Sequence, residues 1–164
     1  MVGELANSVK NAAIRGDVVA LRELVANHGA SAVRLDDDAD EMTALHWAAA
    51  SGVIEAVNFL LSPAVQSDPR AARGNNFTPL HSAAMQGHAK VCEALLQAGA
   101  EVNVQTNPQG YAPLHSAAFA GHIEAVRVLL AHGADRGLVN YRAERPADTA
   151  RRTGQEETVR LLEA

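Results

Sequence analysis

The chain of 164 residues holds a single cysteine, Cys92, so no internal disulfide can form. That excludes a disulfide-stapled scaffold and fits a reducing compartment. Aromatic residues make up only 4% of the chain, so a core must come mainly from Ala, Leu and Val. Ala and Leu lose little freedom in a helix, and the composition favours that element. Cationic residues are outnumbered: 14 Lys and Arg stand against 19 Asp and Glu, for a formal charge of −5. Phosphate affinity comes from clustered Lys and Arg, so neither nucleic acid nor an anionic membrane is expected as a partner. No apolar run reaches the length that spans a bilayer, and Met1-Val2-Gly3-Glu4 carries no signal-peptide pattern. Neither G-x-G-x-x-G nor G-x-x-x-x-G-K-[ST] occurs, so no glycine-rich phosphate loop is present. The expected location is cytoplasmic, with the nucleus also open.

What the chain does have is repetition. Thr78-Pro79-Leu80-His81-Ser82-Ala83-Ala84-Met85-Gln86-Gly87-His88 recurs as Ala112-Pro113-Leu114-His115-Ser116-Ala117-Ala118-Phe119-Ala120-Gly121-His122. A third copy runs from Thr43 to Gly52 and a worn one from Arg145 to Gly154. His46, His81, His115 and Asp148 are spaced by 35, 34 and 33 residues, as are Gly52, Gly87, Gly121 and Gly154. A fixed period of this length marks a stack of small units, none able to bury its apolar face alone.

One unit reads as helix, tight turn, helix, long turn. Thr78-Pro79 is a helix start, with the hydroxyl placed to cap free N–H groups and proline at the first helical position. Leu80, Ala83 and Ala84 form one apolar stripe, and the alanines let a neighbouring helix approach closely. Gly87 ends the helix. Val91, Leu95 and Leu96 line a second helix, closed by Gly99. Leu45, Ala48, Ala49, Val57, Leu60 and Leu61 repeat the plan, as do Leu114, Ala117, Ala118, Val126, Leu129 and Leu130. A degenerate first unit is read around Asn11–Gly16 with Leu21, Leu24 and Val25. A polar last one is read around Arg151, Arg152, Glu156, Glu157 and Arg160. The longer joins, 27–40 and 62–67, are expected in exposed turns.

The residues Thr78-Pro79-Leu80-His81-Ser82-Ala83-Ala84, Gly87-His88, Leu95-Leu96 and Gly99-Ala100-Glu101-Val102-Asn103 resemble the ankyrin repeat. The resemblance covers nearly the whole chain in about five units, approximately 4–37, 38–72, 73–106, 107–139 and 140–164, as one domain. It implies an all-α solenoid with β-hairpin-like turns projecting from paired helices and a concave face of turn tips and first helices. It also implies that His46, His81 and His115 are buried and bond to backbone. Departures fall at Ala44, where the family has Pro, at Ala112, where it prefers Thr, and at Arg145, Ala147 and Asp148 in the last unit.

No chemistry of catalysis or metal binding is legible. No histidine pairs with Cys, Asp or Glu at metal-ligand spacing. His81-Ser82 and His115-Ser116 point about 100° apart on a helix and cannot act as base and nucleophile. Cys92 sits at an apolar helical position and reads as a small buried side chain. No catalytic residue, cofactor or metal site is therefore assigned.

The expected function is non-catalytic protein–protein interaction by a monomer, with a protein or peptide on the concave face. Phe77 and Tyr111 precede the helix-start pair, with Met42 one unit earlier. Met85 and Phe119 stand two residues before the helix-ending glycines, with Arg152 at that place in the last unit. Tyr141 falls in the last turn. Met42, Phe77, Met85, Tyr111, Phe119, Tyr141 and Arg152 are the candidate partner-binding residues, since aromatics and Met favour interface centres. Trp47 is open between core and surface. Asp36, Asp37, Asp38, Asp40 and Glu41 cluster at one end of the array and Arg142, Arg145, Arg151 and Arg152 at the other. That gradient is either two solvated tips or a means of orienting a ligand. The alternative role is a structural or assembly-chaperone subunit of a larger complex, contacting through its outer helices.

Overall fold

The computed structural model describes residues 2–34 and 42–164 of the chain. The acidic residues Asp36, Asp37, Asp38, Asp40 and Glu41 lie outside the described residues. Among the described residues ten α-helices run in order: α1 Val2–Arg15, α2 Val18–His28, α3 Ala44–Ser51, α4 Ile54–Leu61, α5 Pro79–Gln86, α6 Ala89–Gln97, α7 Pro113–Ala120, α8 Ile123–Ala131, α9 Pro146–Arg152 and α10 Glu156–Glu163. A short 3-10 turn, Ala30–Arg34, follows α2. Among the described residues there is no strand. The helices pair in sequence, and each layer stacks on itself: α1, α3, α5, α7 and α9 in one, the even-numbered helices in the other.

The core is what the alanine stripe predicts. Leu45, Leu80 and Leu114 are sealed at the start of their helices, and Ala48, Ala49, Ala83, Ala84, Ala117 and Ala118 are fully buried behind them. From the second layer come Leu21, Leu60, Leu95 and Leu129, also fully buried. Each such leucine contributes about 1.5–3 kcal/mol of burial. Leu61, Leu96 and Leu130, one position on, are only partly buried against this core.

Two sets of polar stitches join neighbouring units. In the first, the histidines do the capping. The backbone N–H groups of Thr43, Thr78 and Ala112 donate to Nδ1 of His46, His81 and His115, each at 3.2 Å. With Nδ1 accepting, the neutral ring carries its proton on Nε2. Nε2 then donates into the next hairpin, to the carbonyls of Phe77 (3.0 Å), Tyr111 (2.9 Å) and Glu144 (3.0 Å). The threonine hydroxyls add to this: Thr43 Oγ1 accepts from His46 N at 3.4 Å, Thr78 takes part in the same capping box with its hydroxyl 2.9 Å from His81 Nδ1, and Ala112 keeps the histidine arrangement with no hydroxyl at all. In α9, Asp148 Oδ2 accepts from Arg145 N at 3.0 Å. A carboxylate can reproduce the acceptor half of the histidine but not the donor half.

The second set sits where each first helix ends. Gly87 has φ +77°, and a Cβ there would lie 2.6 Å from Cγ of His122. The ring fills the space that a side chain would take, and its Nε2 reaches the Met85 carbonyl at 3.1 Å. Gly16, Gly52 and Gly121 are likewise covered by Val53, His88 and Gln155 of the following unit. Gly154, at the end of the series, has nothing within 4 Å of the same position.

The first helix is longer than its counterparts, and one expectation about the joins changes. α1 has 14 residues where α3, α5 and α7 have eight. The 62–67 join is not wholly exposed: Val65 is fully buried, held by a turn in which Ser67 N donates to Leu60 O at 2.9 Å.

Candidate functional site

Among the described residues, three hairpin turns project beside the first helices. Each closes on a backbone bond: Arg73 N to Phe77 O (3.0 Å), Thr106 N to Tyr111 O (2.9 Å) and Asn140 N to Glu144 O (3.0 Å). Adjacent hairpins are tied together by Asn107 N to Asn75 O (2.8 Å) and Tyr141 N to Gln109 O (3.0 Å). The histidine Nε2 bonds lock each hairpin to the helix behind it. Phe77 and Tyr111, which lead into α5 and α7, are therefore carried on a fixed backbone.

A cleft of about 380 Å³ opens between these hairpins and helices α5 and α7. Its walls are Phe77, Tyr111, Met85 and Phe119, with Asn75, Thr106, Gln109 and Ser116 at the edges. Met85 and Phe119 are 43% and 50% exposed; Phe77 and Tyr111 are half-buried. Phe77 stacks on His81 with ring centroids 5.2 Å apart, and Tyr111 meets His115 edge-on at 5.9 Å. The half-buried faces of these rings thus rest on the capping histidines. Tyr141, 59% exposed, continues the surface and contacts Tyr111 at 6.2 Å.

The structure brings together five of the seven candidate residues: Phe77, Met85, Tyr111, Phe119 and Tyr141. Met42 differs. It is 7% exposed, with the Arg73 guanidinium 3.6 Å from its sulfur, and is not part of the exposed surface. Arg152 is at the edge, about 5.9 Å over the Phe119 ring, but it makes a two-pronged pair with Glu144 at 2.8 and 3.2 Å. That pair holds the Glu144 carboxyl below its ordinary pKa.

The expected basic end of the array is largely neutralised within the last unit. Arg145 and Arg151 both pair with Asp148 at 3.0 Å, and Arg151 also pairs with Glu163. Arg142 is different: its Nε donates to the Tyr141 hydroxyl at 2.6 Å and it makes no ion pair among the described residues. Trp47 is half-buried, with Lys10 Nζ 4.4 Å above its ring. Its Nε1 is enclosed without a hydrogen-bond partner among the described residues.

Buried groups with shifted titration are structural in their contacts. Burial pushes His81 down to about 4 and lowers His115. It pushes the Cys92 thiol up to about 12, which keeps it protonated and unreactive. Among the described residues no group of His, Cys, Asp and Glu is arranged to hold a metal ion, and no helix is long and apolar enough to cross a membrane. A second cleft, of about 640 Å³, lies on the other layer between Val18, Arg22, Glu55, Asn58, Phe59, Ser62 and Ala64.

Paired helices stacked in register, with hairpins stitched to histidines, define a helical repeat array with an apolar, hairpin-lined cleft. The chain belongs to the ankyrin-repeat family: the family profile for three ankyrin repeats matches residues 9–106 and again 80–163. Arrays of this family serve generally as protein-interaction modules. The chain is similar to 26S proteasome non-ATPase regulatory subunit 10 of Dictyostelium discoideum, with 35% identity over 52% of this chain and 36% of that protein. It is similar to the palmitoyltransferase AKR1 of Lachancea kluyveri, with 33% identity over 59% of this chain and 13% of the relative. It is also similar to diacylglycerol kinase zeta of Rattus norvegicus, with 35% identity over 60% of this chain and 10% of the relative. The chain thus spans about a third or less of the length of these relatives, and the enzymatic activities in two of the names do not transfer with the match.

Proposed function

We propose that the chain is a non-catalytic, monomeric module that binds a protein or peptide on the face made by its hairpins and first helices. The observation that supports this reading is the joined apolar surface of Met85, Phe119 and Tyr141 around the Phe77–Tyr111 cleft. Contiguous apolar surface of this kind is rare without a contact to cover it, and aromatic and methionine side chains are the favoured anchors. The cleft is rigid before binding, because hairpin–hairpin and histidine–carbonyl bonds already fix its walls, which lowers the ordering cost of association. A cytoplasmic or nuclear site of action goes with this role, supported by the likeness to a proteasome regulatory subunit.

The test compares two surface variants. Phe119→Ala with Met85→Ala alters only exposed cleft side chains; Phe77 and Tyr111 are left alone because they rest on the capping histidines. Glu55→Ala with Asn58→Ala alters the second-helix layer. Proteins captured by the wild type are identified by mass spectrometry, and their affinities for both variants measured. The cleft pair is expected to lose roughly tenfold or more for its partner. Full retention there, with loss in the outer pair, would reject the cleft and favour an assembly subunit that makes contact through its outer helices.

A further inference from the structure

The cleft is apolar in its walls but not at its edges. Ser116 lines it and is only 7% exposed, yet its hydroxyl makes no hydrogen bond among the described residues. Unlike Ser82 Oγ, which is enclosed, this hydroxyl is within reach of solvent at the cleft surface, and an occupant that covers it must supply a hydrogen bond in place of that solvent. The Gln109 side-chain amide, also on the lining, is exposed and unbonded among the described residues. An all-hydrocarbon occupant would leave Ser116 unsatisfied. An aromatic side chain with a polar tip would cover the apolar walls and replace the bond that displaced solvent gives up.

Charge adds a second, independent feature. Arg73 sits about 5.6 Å over the Phe77 ring and Arg142 about 5.2 Å over the Tyr141 ring. These guanidiniums flank the aromatic surface on two hairpins, and neither makes an ion pair among the described residues. Glu144, the carboxylate of this hairpin row, is already taken by Arg152. Both guanidiniums are held in place by ring contacts, at little further entropic cost to a carboxylate that approaches them.

Resting on the proposed function above, we propose that the cleft receives one tryptophan or tyrosine side chain from a peptide segment with acidic residues on both sides of it. The ring lies against Phe77, Tyr111, Met85 and Phe119. Its N–H or O–H meets Ser116, and the flanking carboxylates meet Arg73 and Arg142. A segment flanked by lysine or arginine is disfavoured by the same two cations.

Random peptides displayed on phage, selected on the intact chain, test this directly. Enriched sequences are expected to centre on Trp or Tyr with Asp or Glu on either side. A synthetic peptide of the enriched sequence is then titrated by fluorescence polarisation at low and at physiological salt. Arg73→Gln with Arg142→Gln is expected to weaken it about tenfold at low salt and to flatten its salt dependence. Ser116→Ala is expected to erase the preference for the polar-tipped ring over Phe at the anchor position. Phe119→Ala should weaken every cleft ligand, whatever its charge, with the fold verified by circular dichroism. Enriched peptides that need Phe119 but carry neutral or basic flanks overturn the acidic-segment inference and leave the cleft reading standing. Peptides indifferent to Phe119→Ala overturn the cleft reading itself, and a selection with no enrichment overturns both.

Discussion

Acid should loosen this array through its histidines before it reaches its carboxylates. His81 is fully buried, and burial holds its pKa down to about 4 against an ordinary 6.5. The proton would have to enter at Nδ1, which already faces the backbone N–H of Thr78 at 3.2 Å. Below pH 6.5 the unfolded chain therefore binds a proton that the folded chain refuses. The stability held by the neutral ring is complete above about 6.5 and drains away as pH falls toward about 4. Each pH unit between the unfolded and folded pKa values is worth about 1.4 kcal/mol, so His81 alone accounts for about 3 kcal/mol over that window. His115 is lowered for the same reason and acts in the same direction. Against a typical total of about 5–15 kcal/mol, this is a large share. Asp148 and Glu144 are also lowered, by Arg145 and Arg152 respectively, but such carboxylates lose their contribution only below their unfolded values near about 4. The interval from about pH 6.5 to 4.5 thus isolates the histidines. The assay is urea unfolding followed by circular dichroism at about pH 7, 5.5 and 4.5, for the wild type and His81→Gln. The wild-type midpoint is expected to fall steadily across the series. The variant is expected to start lower at neutral pH and to fall less. A wild-type midpoint unchanged from pH 7 to 4.5, or an undiminished slope in the variant, refutes the reasoning.

Three further outcomes follow from burial and contact. Gly154→Ala meets no atom and is expected to cost only the positive-φ strain of about 1–2 kcal/mol; Gly87→Ala also strikes the His122 ring and should cost clearly more, so equal urea midpoints would contradict the packing. Phe119→Ala, at an exposed ring, is expected to shift stability by less than about 1 kcal/mol, whereas Phe59→Ala, 8% exposed, should cost about 3–5 kcal/mol by thermal or urea unfolding. Cys92, fully buried and pushed up to about 12, should resist a thiol-reactive dye in the native state and react at once in urea; rapid native labelling would show the site to be open.

The period of the array is plain in the sequence because it is a property of backbone packing. A leucine and two alanines must recur wherever a first helix meets its neighbour, and a glycine must recur wherever the next unit presses on the chain. The cleft is legible for a related reason: Phe77 and Tyr111, and Met85 and Phe119, occupy equal places in equal units. Met42 shows the limit of that logic. Its place is also equal, but Arg73 lies against its sulfur and the residue is buried. Long side chains on the surface choose among several partners, and periodicity carries no information about the choice. The same holds for Arg145, Arg151 and Arg152, which read as one basic cluster in the sequence and are spent on Asp148, Glu163 and Glu144 in the structure. Ser116 does not stand out in the sequence because its place on the cleft wall is visible only once its surroundings are known.

The bonds between units have a consequence for how such a chain can change. Each histidine grips a main-chain oxygen, and every residue type offers one. A whole interior module copied and spliced in behind its parent would find the same grips waiting on both sides. Gain or loss of a full module can therefore lengthen or shorten the binding face without inventing new chemistry. The final module is exempt: with an acceptor-only Asp148 and charges paired among themselves, it would make a poor neighbour anywhere but at the end.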